Sequence, residues 1–262
     1  SYFEKPQWGY KRLKGWTSIK EGDIVVFNFP AGDTVSMLTQ NPDYYGLCYE
    51  AAIQHPRFRH EMEEGVLSYE TLKERMAIGK EQVDVVTMMN GLGENIWRPV
   101  DRRENFVKRC VGLPGQTIEI KDDVLLVDGK KSEVKEGMQH NYCVQTNGQP
   151  LNMEALHKLG VSTGEVQQYD GAEMSAYLRQ IGMTPAVDSL HWGMIYIFAM
   201  TQDAKAKVEA LPIVKQVAKE AILDDMKGKS AMFPLAYSNV WTRDNYGPLW
   251  IPAKGATIEL TE

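Results

Sequence analysis

The side chain best placed for proton-transfer chemistry is Lys108, within Phe106-Val107-Lys108-Arg109-Cys110-Val111. Read as a strand, this run puts Phe106, Lys108 and Cys110 on one face and Val107, Arg109 and Val111 on the other. An amine between two apolar neighbours is expected to be desolvated, which disfavours the ammonium form and fits it to act as a general base. Alternation alone fits better a half-exposed lysine whose stem lies over its neighbours. Other chemistry is poorly served. His55 and His60 lie five residues apart, and His140, His157 and His191 are scattered, so core or surface roles outweigh metal ligation. Cys48, Cys110 and Cys143 are odd in number and form no CxxC pair, which excludes a dense disulfide framework and a four-thiolate zinc site. Gly91-Leu92-Gly93 lacks the third glycine of a dinucleotide loop, and Gly112-Leu113-Pro114-Gly115 lacks the Lys-Ser or Lys-Thr ending of a phosphate loop. Both read as turns, and Asp122-Asp123 as a solvated turn.

The elements around Lys108 are strands. Asp23 to Phe29 is β-branched and aromatic and closes at Pro30-Ala31-Gly32-Asp33. Asn105 to Val111 leads into Gly112-Leu113-Pro114-Gly115, where Pro114 fixes φ and Gly115 supplies the positive φ of a type II turn. Thr117 to Ile120 and Val124 to Val127 form a hairpin across Lys121-Asp122-Asp123, and Asp128-Gly129 favours a further tight turn. A helical excursion interrupts these strands near 44–80, with its second segment led by Ser68 and ending near Ile78. Beyond about residue 135 the texture becomes α+β. Asn152 caps a helix stopping at Gly160, Asp170 leads one stopping at Gly182, Met194 to Phe198 is a buried strand, and Ala204 to Lys227 reads as a charged helix. Strand grammar returns at Trp250-Ile251-Pro252 and at Ala256 to Leu260. The expected fold is therefore mainly antiparallel β with an α+β insertion, overall α+β. Residues 1–134 and 231–262 form the core, and 135–230 the insertion.

Composition narrows the classes. Of 262 residues, 43% are hydrophobic and 24% charged, with 22 Gly and 12 Pro, which is ordinary for one large or two modest globular domains. Lys plus Arg number 29 against 35 Asp plus Glu, giving −6, so no cationic excess exists to neutralise a nucleic-acid backbone. The longest strongly apolar stretch, Met194 to Met200, falls far short of the roughly 18 residues that cross a bilayer. No basic-then-apolar leader precedes the core and the chain starts at Ser1, so it reads as a soluble processed product or excised fragment. Residues 1–20 interleave Tyr2, Phe3, Trp8, Tyr10 and Trp16 with Lys5, Lys11, Arg12, Lys14 and Lys20, a blend suited to a membrane headgroup layer or to an irregular arm on the core.

Three blocks, taken in order, carry a family resemblance: Gly22-Asp23-Ile24-Val25-Val26-Phe27, then Phe106 to Gln116, then Trp241-Thr242-Arg243-Asp244-Asn245-Tyr246-Gly247-Pro248-Leu249-Trp250-Ile251-Pro252. Together they resemble the catalytic domain of type I signal peptidases, whose lysine box ends in Gly-Leu-Pro-Gly. The form without a clear Gly-Asp-Asn ahead of the last block looks like the Bacteroidetes branch. The resemblance implies a signal-peptidase-like β core and a serine/lysine endopeptidase that removes signal peptides from exported preproteins. It implies work at the periplasmic face of the bacterial inner membrane, with no metal or cofactor. It makes Lys108 the general base, Arg109 and Asp244 supporting residues, and Phe106 and Val107 the lining of the pocket for the residue before the scissile bond. Thr242 falls where the family carries a serine whose hydroxyl holds the lysine amine, and Tyr246 where many members pair an arginine with the aspartate. The nucleophilic serine of a Ser-Met-x-Pro box is not found between Ser1 and Gly22 and is expected upstream of Ser1, so the fragment is expected to be inactive. Ser36-Met37 imitates the box but follows the first strand and lacks its proline. The other reading is a non-catalytic relative that binds peptides or proteins on the same scaffold.

Overall fold

The structure is a computed structural model. It describes residues 14–15, 17–28, 34–36, 44–58, 65–89, 95–97, 105–133, 137–164, 166–186, 191–223 and 227–258. The chain divides into two compact units, Ser1–Ser132 with Leu223–Glu262, and Glu133–Ile222. The first unit holds strands β1 (Ile24–Asn28), β2 (Thr34–Ser36), β3 (Asn95–Trp97), β4 (Asn105–Arg109), β5 (Thr117–Lys121), β6 (Val124–Val127), β7 (Lys130–Lys131) and β12 (Tyr246–Trp250). Helices α1 (Tyr44–Gln54) and α2 (Tyr69–Met89) lie between β2 and β3. All pairing is antiparallel: β1 with β4, β2 with β3, and a four-stranded sheet in the order β12-β5-β6-β7. Asp122 and Asp123, at φ 47° and 61°, make the left-handed pair that a tight hairpin between β5 and β6 requires. The excursion begins where the sequence implies, but α2 runs past Ile78 to Met89. Gly79 lies inside α2 as a contact residue. A Cβ there would lie 1.7 Å from the Cys48 carbonyl oxygen, so only glycine lets α2 press this closely on α1, which buries Tyr44, Gly46, Cys48, Tyr49 and Ala52. The Leu67 amide donates to the Ala236 carbonyl at 2.8 Å and ties the hairpin to the 3-10 turn Leu235–Tyr237.

The second unit runs β8 (His140–Thr146), α3 (Met153–Lys158), β9 (Gln167–Asp170), α4 (Ser175–Gln180), β10 (Met194–Met200), α5 (Gln202–Glu209), β11 (Val214–Lys219). Its sheet order is β11-β8-β10-β9, antiparallel throughout. Both β8-α3-β9 and β10-α5-β11 therefore join parallel strands across an intervening one, the split βαβ arrangement of ferredoxin-like folds. Alternation along β8 and β10 sends Tyr142, Val144, Tyr196, Phe198 and Met200 toward Leu156 of α3 and Ala204 and Val208 of α5. Cys143, Ile195 and Ile197 face Leu178 of α4 together with Met183 and Trp192. Both sheet faces are covered, which is why Met194 to Met200 reads as an unbroken apolar run.

Local differences from the sequence have local causes. Asn152 caps α3 by accepting from the Glu154 and Ala155 amides. Asp170 closes β9 and takes the Ala172 amide at 2.8 Å, so α4 starts only at Ser175. The helix expected over Ala204 to Lys227 ends at Glu209, and Val214 to Lys219 forms an edge strand, with Val217 opposite Val144. Charged residues alternating with apolar ones fit an exposed strand edge as well as a helix surface, and pairing with β8 decides. Ala256 to Ile258 is not a strand, and Glu259 and Leu260 lie outside the described residues. Among the described residues no helix is long and apolar enough to cross a membrane.

Candidate functional site

Lys108 lies on β4, opposite Val25 of β1, in a ladder that runs from Ile24↔Arg109 to Asn28↔Asn105. The ladder is extended by the Gly22 amide donating to the Cys110 carbonyl and the Cys110 amide donating to the Asp23 carbonyl, both at 2.8 Å. Arg109 adds a third link, its Nη1 donating to the Gly22 carbonyl at 2.6 Å. Phe27 and Phe106 face each other with ring centroids 6.5 Å apart. The first two blocks of the sequence thus form one ribbon, held by backbone pairing, one guanidinium and one aromatic contact.

From β4 the chain enters the turn Leu113–Gln116, closed by the Gln116 amide on the Leu113 carbonyl at 3.1 Å with Gly115 at φ 94°, as a type II turn requires. The third block docks here. The Gly115 amide donates to the Ile251 carbonyl at 2.7 Å, and the Ile251 amide donates to the Gln116 carbonyl at 2.8 Å. At the other end of β5 the hairpin turn is clasped by the same block. The Asp123 amide donates to the Asp244 carbonyl at 2.8 Å, and the Asp122 amide to Asn245 Oδ1 at 3.0 Å. Residues 242–245 close on themselves, with the Thr242 amide donating to the Asn245 carbonyl at 2.8 Å and the Asn245 amide to Thr242 Oγ1 at 3.0 Å.

Exposure divides the candidate residues. Thr242 and Asp244 are buried, at 4% and 7%. Lys108 and Arg109 are exposed, Val107 is 61% exposed, and Phe106 is half-buried. The desolvated lysine of the sequence reading is therefore corrected: β1 and β4 form a two-stranded ribbon, and strand alternation alone supplies no second layer to shut water away from the amine. No hydrogen bond joins Lys108 to Thr242 among the described residues, and the Thr242 hydroxyl instead accepts from the Asn245 amide. Asp244 Oδ1 accepts from Arg243 Nε at 3.1 Å, so a neighbouring cation serves the aspartate although position 246 is tyrosine. Tyr246 instead donates its hydroxyl to the Phe233 carbonyl at 2.9 Å, and burial raises its pKa. Trp241 lies between Tyr237, stacked at 4.0 Å, and Tyr246 at 4.7 Å.

Asn245 is the residue whose importance the sequence reading missed. Its position beside an aspartate that could open a turn is the signal that pointed to it. The side chain of Ser36 and the residues Tyr2, Phe3, Lys5, Trp8, Tyr10, Lys11, Arg12 and Trp16 lie outside the described set. Among the described residues no group of three or more His, Cys, Asp or Glu side chains is arranged to hold a metal ion.

No curated protein and no solved structure matches the chain. The family model described as signal peptidase, peptidase S26, matches residues 7–195. The match takes in the β1 block, the Lys108 strand and the turn that follows it, and it stops short of the Trp241 block. Covering well over half of the sequence, including the Lys108 segment, it shows that the chain belongs to the signal peptidase family, peptidase S26.

Proposed function

We propose that this chain is the periplasm-facing catalytic domain of a bacterial inner-membrane signal peptidase, and that it hydrolyses preproteins with a serine/lysine dyad whose base is Lys108. The observation that carries this is the position of the Lys108 amine. Its strand is fixed by the β1 ladder, by Arg109 on Gly22 and by the following type II turn, while the amine itself is exposed on that rigid support. A base must be held firmly yet be reachable by the hydroxyl it deprotonates. The neutral amine takes the serine proton as the oxygen attacks the scissile carbonyl, and the proton can then pass to the leaving amine. Exposed Val107 and half-buried Phe106 would line the pocket for the small side chain before the scissile bond. Thr242 would steady the amine. A hydroxyl has one donor and two acceptor sites, and the Asn245 amide occupies one acceptor. Asp244 and Arg109 support this arrangement, the first through its backbone bond to the β5–β6 turn and the second through Gly22.

Residues 1–21 contain no Ser-Met-x-Pro sequence, so the proposal puts the nucleophile upstream of Ser1 and needs neither metal nor cofactor. The partners are preprotein signal peptides and, through the aromatic and basic residues of 1–20, the membrane surface. The exposure of Lys108 also favours a second reading, a non-catalytic peptide-binding relative on the same scaffold. The separating experiment is incubation of the serine-containing protein with a preprotein, with the product termini mapped by mass spectrometry. Cleavage after a small residue at the end of the signal peptide is expected, with none by residues 1–262 alone. Cleavage by 1–262 that Ser36→Ala abolishes would relocate the nucleophile, and no cleavage by either protein would favour the binding module.

A further inference from the structure

Arg75, on α2, is 3% exposed, and among the described residues it has neither an ion-pair nor a hydrogen-bond partner; its Nε is buried and unsatisfied. Its guanidinium lies 5.4 Å from the centroid of Phe58, itself 6% exposed. Arg57 approaches the same ring at 5.6 Å, and the His55 ring stands 6.3 Å from it. Glu74 is an acid at this cluster, and its Oε1 lies 2.5 Å from Arg57 Nη2. Among the described residues, Arg75 is thus a buried cation with no acid paired to it. Arginine cannot shed its proton to escape the desolvation cost, and an aromatic face offsets only part of it.

We propose that Arg75, over the Phe58 ring, forms an oxyanion site on the α1–α2 hairpin that takes one singly charged carboxylate or phosphate group. A planar guanidinium fork presents paired N–H donors at the spacing of two such oxygens, and a single negative charge balances the guanidinium. The site is independent of the Lys108 chemistry and does not rest on the peptidase reading.

Inorganic phosphate and acetate, each titrated into the 262-residue protein at constant ionic strength in chloride, test this directly, with binding followed by 31P line width for phosphate and by calorimetry for both. Saturable binding of at least one of them is expected, weakened about tenfold or more in Arg75→Met by loss of a charge-assisted contact. If Arg75→Met does not fold, Arg75→Lys keeps the charge without the fork and should show the same direction of change. Affinity unchanged in these variants would overturn the site. So would no binding above chloride in the parent protein.

Discussion

Thr242→Val removes a buried hydroxyl while keeping the shape of the side chain. The bond lost is that from the Asn245 amide to Thr242 Oγ1 at 3.0 Å, whereas the backbone bond from the Thr242 amide to the Asn245 carbonyl at 2.8 Å remains. Asn245 is exposed, so water can reach its freed amide, and the cost should sit near the net value of a hydrogen bond, about 1 kcal/mol, instead of the larger penalty of a dry orphan. That energy corresponds to about a fivefold loss of amide-exchange protection at Asn245, with a smaller loss at Asp122 and Asp123, whose amides rest on Asn245 and Asp244. Exchange resolved by residue is the appropriate assay, because a chain of two compact units need not unfold in one step. Thr242→Ser restores the acceptor and should restore most of the protection. Unchanged exchange at Asn245 in Thr242→Val would refute the assignment of that hydroxyl. In the complete enzyme the same pair separates a turn role from a catalytic one. Loss of activity in Thr242→Val with rescue in Thr242→Ser supports amine orientation, and equal activity in both limits Thr242 to the turn.

Gly79→Ala would place a Cβ 1.7 Å from the Cys48 carbonyl, so α1 and α2 must part by more than 1 Å. An overpacking cost of about 1–3 kcal/mol or more is expected as a lowered unfolding midpoint by circular dichroism, and an unchanged midpoint would contradict the helix crossing. Burial pushes the Cys143 thiol up to about 12 from its ordinary 9.0. The unfolded chain therefore ionises first, and the stability of the second unit is full below about pH 9 and declines as pH rises toward 12, by up to about 4 kcal/mol. Urea midpoints at pH 8 and pH 10.5 should show this decline in the parent and much less of it in Cys143→Ala, and equal declines would contradict the assignment.

Much of the strand scaffold was legible because its signals are local. The β-branched run at Ile24, the Pro114-Gly115 pair and the Asp122-Asp123 turn each admit few conformations, and the structure places them in ladders and tight turns. Segments whose state depends on a distant partner were not legible. Val214 to Lys219 becomes a strand only by pairing with β8, and α2 continues through Gly79 because packing on Cys48 requires a residue without a side chain there. The same limit applies at Lys108. Alternation identifies the neighbours of a side chain on its own face, but only a second layer can bury it, and nothing in the strand's sequence announces whether one exists.

Single-turnover cleavage of a signal-peptide substrate by the anchored, serine-containing protein, comparing the parent with Lys108→Met and Lys108→Arg, tests the general-base role of Lys108 most directly. The account requires the Lys108 amine to accept the serine proton, so the parent should cleave. Arginine stays charged and methionine has no basic nitrogen, so both variants should be folded by circular dichroism and inactive. A folded Lys108→Met variant that cleaves at a near-normal rate would contradict the account.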